Sequence, residues 1–147
     1  MRVFFDASVI IAALLSKTGG SSLLFQYIQR KTITGITSQT VIEEVLEEDK
    51  PEKLNKSSSE TEEFIAQSGL VVCEHMREEE VVLYKDKVNI EDAHLFAGAY
   101  LTNCTHLVSL DKKHVLKADI QKLFLPLRVV SPKQLLEEIV KTVYNKV

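Results

Sequence analysis

Four acidic positions stand where a chain of alternating strands and helices would gather negative charge. Asp6 closes the apolar run Val3-Phe4-Phe5, and Asp111 closes the stretch HLVSL. An aspartate after a strand can simply cap the next helix. In a parallel sheet, however, ligands bind at the strands' carboxyl ends, and both side chains enter one crevice if the first and fourth strands are neighbours. Asp92 falls at the third position of a helix capped by Asn89, where an acid also suits the helix dipole. The apolar residues behind it (Ala93, Leu95, Phe96, Ala97, Ala99 and Tyr100) predict a buried helix, whose first turn then reaches the sheet edge. In SQTVIEEVLEED, Val41, Ile42, Val45 and Leu46 define an inward face, with Glu47 outward. Glu43 and Glu44 flank that face almost symmetrically, and periodicity does not choose between them. Carboxylates brought close together repel, and some keep their protons unless a cation compensates them. Mg²⁺ and Mn²⁺ prefer oxygen ligands, and Mg²⁺ keeps several of its waters. Such a cluster suits metal-assisted hydrolysis of a phosphodiester.

The elements that must position these acids alternate along the chain. Strands are predicted over 3–5, 32–37, 70–73, 105–110 and 127–130, from β-branched and apolar runs bounded by polar residues. Helices are predicted over 9–15 and 22–30, with a break at Lys17-Thr18-Gly19-Gly20. A third, capped by Ser38 or Thr40, runs to about residue 48. Residues 49–59 read as a polar surface connection. A capping box Ser59-x-x-Glu62 opens the next helix, which Gly69 closes. A charged helical stretch covers 76–87, the apolar helix 90–103, and Pro132 opens the last helix. Alternation of this kind predicts an α/β protein with a parallel sheet covered on both faces. The 147 residues fit a single domain spanning 1–147.

Composition narrows the function. A net charge of −3 argues against a chain coated with basic residues for unspecific nucleic-acid binding. No run of eighteen apolar residues offers a membrane span, and the first residues lack a signal-peptide pattern, so the expected location is cytoplasmic. Cys73 and Cys104 lie far apart, with neither CxxC nor HxxxH spacing, and read as free, partly buried thiols despite His75 near Cys73. No glycine-rich phosphate loop is present. A phosphatase of the Asp-x-Asp type would need an acid where Ser8 stands. A response-regulator receiver would need paired acids near strand one and a lysine at strand five.

Four segments together carry a family resemblance. MRVFFDASVIIAALLSKTGG resembles the opening of PIN-domain proteins, with an apolar strand, an Asp, a small polar residue two positions on, and an apolar helix. ITSQTVIEEVLEE resembles the family's second segment, in which a Ser precedes the acid by six residues; that spacing selects Glu44. EDAHLFAGAYLTNCTHLVSLDKKHVL resembles the third, and LRVVSPKQLLEEI the last strand and helix. The resemblance spans nearly the whole chain and implies a three-layer α/β/α sandwich on a parallel five-stranded sheet. It implies a Mg²⁺- or Mn²⁺-dependent ribonuclease acting on single-stranded RNA, which leaves a 5′-phosphate and a 3′-hydroxyl. Asp6, Glu44, Asp92 and Asp111 form the acid cluster, and Ser8 supports Asp6. Asp6 and Asp111 are then the main metal contacts, while Asp92 and Glu44 reach the ion through water or orient the attacking water. Many small prokaryotic members are toxins paired with an antitoxin protein, and dimers are frequent.

Three positions depart from the family pattern. Ser8 stands where Asn or Thr is common, and Ser109-Leu110-Asp111 replaces Thr-Gly-Asp, which implies a stiffer loop. Lys113 replaces a frequent acid, which favours one-metal over two-metal chemistry. Ser109 is placed on the same side of the strand as Asp111. Lys112, Lys113 and Lys117 are the candidate RNA contacts, and His114 is not required as a base. The competing expectation is a non-catalytic PIN-like module that binds RNA or a protein.

Overall fold

The computed structural model describes residues 1–48 and 57–145. At its centre lies β1 (Arg2–Phe5), where Val3, Phe4 and Phe5 are all fully buried, as a strand covered on both faces requires. The chain turns at Asp6 into α1 (Ala7–Leu15) and α2 (Gly20–Gln29), then returns through β2 (Thr34–Ser38). Next come α3 (Gln39–Glu48), α4 (Ser58–Gln67) and the short β3 (Val71–Cys73). The charged stretch that follows is one turn of helix, α5 (Glu78–Val81), continued by a 3₁₀ turn at Val82–Tyr84. A second 3₁₀ turn, Ile90–Asp92, leads into α6 (Ala93–Leu101). The chain ends with β4 (His106–Val108), α7 (Ala118–Leu123), β5 (Arg128–Val130) and α8 (Pro132–Tyr144).

All five strands are parallel, in the order β3-β2-β1-β4-β5. The chain winds outward from β1 to β3, then crosses back to β4 and on to β5. Right-handed crossovers in opposite directions place their helices on opposite faces. Accordingly α1 packs on α2 and α3, and α2 on α8, in one layer; α6 packs on β1 and β4 from the other side. This is the expected α/β/α sandwich. The reversal of strand order falls between β1 and β4, where Phe5 is in register with Val108. A crevice opens at such a switch point, outside the carboxyl ends of the strands.

Local sequence accounts for most boundaries. Ser38 Oγ accepts from the Val41 amide at the head of α3, and Ser131 forms a capping box with Gln134 while Pro132 fills the first turn of α8. The predicted box at Ser59 and Glu62 is instead made by Ser57 and Glu60. Three consecutive serines offer three starting points, and in the helix that follows Ser57 the buried Thr61 and Ile65 share a single face. Gly69 ends the helix region at φ 84°, the left-handed conformation glycine accepts without penalty. Most of the predicted 49–59 connection, residues 49–56, lies outside the described residues.

Further corrections concern the neighbourhood of the acids. Strand β4 ends at Val108, so Ser109, Leu110 and Asp111 form a loop rather than its last residues. The helix predicted from residue 90 begins as a 3₁₀ turn, which moves Asp92 from a third helical position to the joint between the two helices. Tyr100, predicted buried, is partly exposed and donates its hydroxyl to the Phe124 carbonyl at 2.9 Å. Helix α7 has no counterpart in the sequence reading. Its six residues, ADIQKL, are too short to show a period.

Candidate active site

Asp6 follows the central strand directly, and its backbone amide donates to the Val108 carbonyl at 3.1 Å, continuing the β1–β4 ladder one step. Its side chain is only 8% exposed. Burying a carboxylate is costly unless hydrogen bonds replace its water. Here two hydroxyls converge on Oδ2: Ser109 Oγ donates at 2.6 Å and Ser8 Oγ at 3.0 Å. Burial still dominates and raises the Asp6 pKa; the two serines and the Ala7 amide oppose it, and the charge of Glu44 adds to the rise.

The same hydroxyls tie down the opposing loop. Ser8 Oγ accepts from the Leu110 amide at 3.1 Å, and Ser109 Oγ accepts from the Asp111 amide at 3.0 Å. Each serine therefore donates to Asp6 and accepts from the β4 loop. Asp111 in turn uses Oδ1 to accept from the amides of Lys113 and His114, both at 3.0 Å, and starts the turn that returns to Val115.

Asp92 makes no capping hydrogen bond; Asn89 serves the Glu91 amide instead. The Asp92 carboxyl is pushed up to about 6, first by burial and then by the charges of Asp6 and Asp111, against the pull of His114 and His94. The three aspartates thus share one electrostatic neighbourhood although they come from three separate segments.

Of the two candidate glutamates, Glu43 turns outward to His75, with Nε2 2.7 Å from Oε1 and both side chains more than half exposed. Cys73 and Cys104 are both free and partly buried. Glu44 faces the acid pocket. Its Oε1 lies 2.8 Å from Nε2 of His94, a residue to which the sequence reading gave no role. Its position two residues after Asp92 was the available signal. Lys112, Lys113 and Lys117 follow Asp111 and are all exposed, and Lys112 lines an open cavity of about 500 Å³ with Leu116, Lys133 and Glu137.

The donor set is that of a hard divalent ion: carboxylate oxygens without sulfur, in a pocket where like charges burden one another. Among the described residues, no three His, Cys, Asp or Glu side chains already enclose an ion-sized space. Mg²⁺ keeps several of its waters, so such an ion needs fewer direct carboxylate contacts than a closed cage of side chains would give.

Comparison with known proteins agrees with the geometry. The chain resembles PAE2754 from Pyrobaculum aerophilum in structure, with a TM-score of 0.63 at 14% identity over 95% of this chain and 96% of the other. It resembles the sarcin-ricin loop cleaving toxin VapC20 of Mycobacterium tuberculosis, with a TM-score of 0.60 at 14% identity over 86% and 98% of the two chains. VapBC2 from Rickettsia felis, solved bound to a DNA fragment from its promoter, gives 0.61 at 15% identity over 89% and 98%. At such identities the likeness is one of fold. No curated protein sequence matches the chain. The sequence profile of the PIN domain matches residues 2–113, from the first strand through the loop that carries Asp111, and the chain belongs to the PIN-domain family.

Proposed function

We propose that residues 1–147 act as one domain, a divalent-metal-dependent ribonuclease that hydrolyses phosphodiester bonds of single-stranded RNA. The observation that carries this reading is the convergence of Asp6, Asp92 and Asp111 at the β1–β4 switch point, with Asp92 raised to a pKa of about 6 first by burial and then by the charges of its two acidic neighbours. Carboxylates crowded at such a cost point to a cation as their partner. Asp6, Asp92 and Asp111 would hold Mg²⁺ or Mn²⁺, with Glu44 reaching it through water. The bound ion would supply charge to the phosphate and lower the pKa of the attacking water.

The chain's own groups do the rest. Ser8 and Ser109 fix the orientation of Asp6 and balance its charge. Glu44 orients the attacking water and accepts its proton. Lys112, Lys113 and Lys117 offer positive charge to the RNA backbone beside Asp111. In-line attack leaves a 5′-phosphate and a 3′-hydroxyl. The likeness to a sarcin-ricin loop cleaving toxin and to a VapBC complex supports a toxin role with an antitoxin partner; the homodimer rests on the family resemblance alone. Among the described residues no single helix is long and apolar enough to cross a membrane.

End-labelled single-stranded RNA, incubated with the protein and Mn²⁺ or Mg²⁺, tests the reading. Cleavage is expected with either ion and is lost in excess chelator and in Asp6→Asn. Cleavage that persists in chelator or survives Asp6→Asn overturns it. RNA that is bound but never cut, with either ion, makes the chain the non-catalytic module instead.

A further inference from the structure

We propose that His94 is a positioning residue for Glu44, fixing its carboxylate by a hydrogen bond that crosses the crevice between the two helical layers. The role rests on the ribonuclease reading above. His94 belongs to the first turn of α6, on one side of the sheet, and Glu44 to α3, on the other. Their contact, Nε2 to Oε1 at 2.8 Å, joins the layers at the edge where the acids gather. Glu44 accepts and His94 Nε2–H donates, since a carboxylate has no proton to give.

The pair differs from an ordinary surface ion pair in its burial. The His94 side chain is 12% exposed and that of Glu44 40%, whereas both partners of the neighbouring Glu43–His75 pair are more than half exposed. Nδ1 of His94 is buried with no hydrogen-bond partner in the structure. The ring therefore forgoes one polar contact, at a cost, while directing the other at Glu44. A half-exposed glutamate left alone samples several rotamers. With Oε1 held, its carboxylate keeps one plane, and Oε2 is left to meet the water. The charge of Glu44 is felt by Asp6, so the group that is fixed belongs to the acid pocket.

Glutamine and asparagine substitutions separate positioning from packing. Gln places its amide nitrogen about where His carries Nε2, and Asn about where His carries Nδ1. With Mn²⁺ and single-stranded RNA, His94→Asn is expected to lower kcat about 10- to 100-fold, the usual cost of losing a partner that orients an active-site group, with KM little changed. His94→Gln restores most of the rate, and the double variant His94→Asn/Glu44→Gln is no slower than Glu44→Gln alone. In the metal-free protein, imidazole nitrogen NMR shows a hydrogen-bonded Nε2–H on His94, with a signal that moves in Glu44→Gln. A full rate in His94→Asn, a His94→Gln variant as slow as His94→Asn, or a His94 signal indifferent to Glu44→Gln overturns the proposal while the wild type still cleaves. A wild type that cleaves no RNA with either ion overturns the nuclease reading itself, and this role with it.

Discussion

Replacing Asp92 by Asn should make the metal-free protein more stable at pH 8 and abolish its activity. The Asp92 carboxyl rises from 3.8 to about 6 on folding, through burial and the charges of Asp6 and Asp111. A carboxyl whose pKa is raised in the folded state opposes folding only once it must ionise. The penalty vanishes only well below pH 3.8, where folded and unfolded forms are both protonated, and is still small at pH 4. It grows as pH rises through the interval up to about 6, and is complete above that value. At 1.36 kcal/mol per pH unit the full rise corresponds to roughly 3 kcal/mol. Asp92 is only half-buried, and solvent screens its interactions, so about 1 kcal/mol is the reasonable expectation. For a chain of this length that is about 2–4 °C in the thermal midpoint. Melting curves of wild type and Asp92→Asn in chelator at pH 4 and pH 8 measure it, with the variant higher at pH 8 and the two nearly equal at pH 4. Added Mn²⁺ then raises the wild type more than the variant, because binding to the folded state adds stability in proportion to affinity. An Asp92→Asn protein less stable than wild type at pH 8, or a gap that does not change with pH, refutes the idea that the pocket holds mutually repelling acids.

Other expectations rest on single contacts. Glu44→Gln should slow RNA cleavage about 10- to 100-fold, while Glu43→Gln, which loses only an exposed partner in His75, leaves the rate unchanged; equal effects in a steady-state assay contradict the register of α3. Ser109→Ala removes a donor from Asp6 and an acceptor from the Asp111 amide, and should cost about 2–3 kcal/mol in urea unfolding at pH 7; a loss below about 0.5 kcal/mol shows that the relay is not structural. Gly98→Ala would place a Cβ 2.6 Å from Cζ and 2.7 Å from Cε2 of the fully buried Phe4, and should destabilise by about 1–3 kcal/mol despite the better helix propensity of alanine; a more stable variant in the same assay refutes so close a packing of α6 on β1.

The architecture was legible because its signals are periodic or local. Val3-Phe4-Phe5 is a β-favouring apolar run that suits a strand buried on both faces, and Pro132 marks a helix start without any tertiary help. Boundaries that depend on partners were less legible. Ser57, Ser58 and Ser59 are equivalent cap candidates in the sequence, with Ser57 the one that pairs with Glu60, and the length of β4 is set by where β5 stops pairing with it. Helix α7 escaped because six residues carry less than two turns of pattern. The site was legible as a list of acids and not as a network. The position of His94 two residues after Asp92 places it near the acids but does not name Glu44 as its partner, because that partner is reached only across the top of the folded sheet.

The three departures from the family pattern have physical answers once the network is visible. A serine two residues after Asp6 suffices because the position needs one short hydroxyl, which donates to Asp6 and accepts from the Leu110 amide. Leucine is tolerated where glycine is usual because only its backbone enters the site. Leu110 does not adopt the left-handed conformation that would call for glycine, and its side chain points partly into solvent. Lys113 gives Asp111 a backbone amide that any residue but proline could give, so its ammonium group remains available at the rim. Each departure thus keeps what the site needs at its position: a hydroxyl at Ser8, and backbone amides at Leu110 and Lys113. The parts held in place are the buried carboxylate of Asp6 and the hydroxyls that make its burial bearable, and these are the groups on which a cation would impose the strictest geometry.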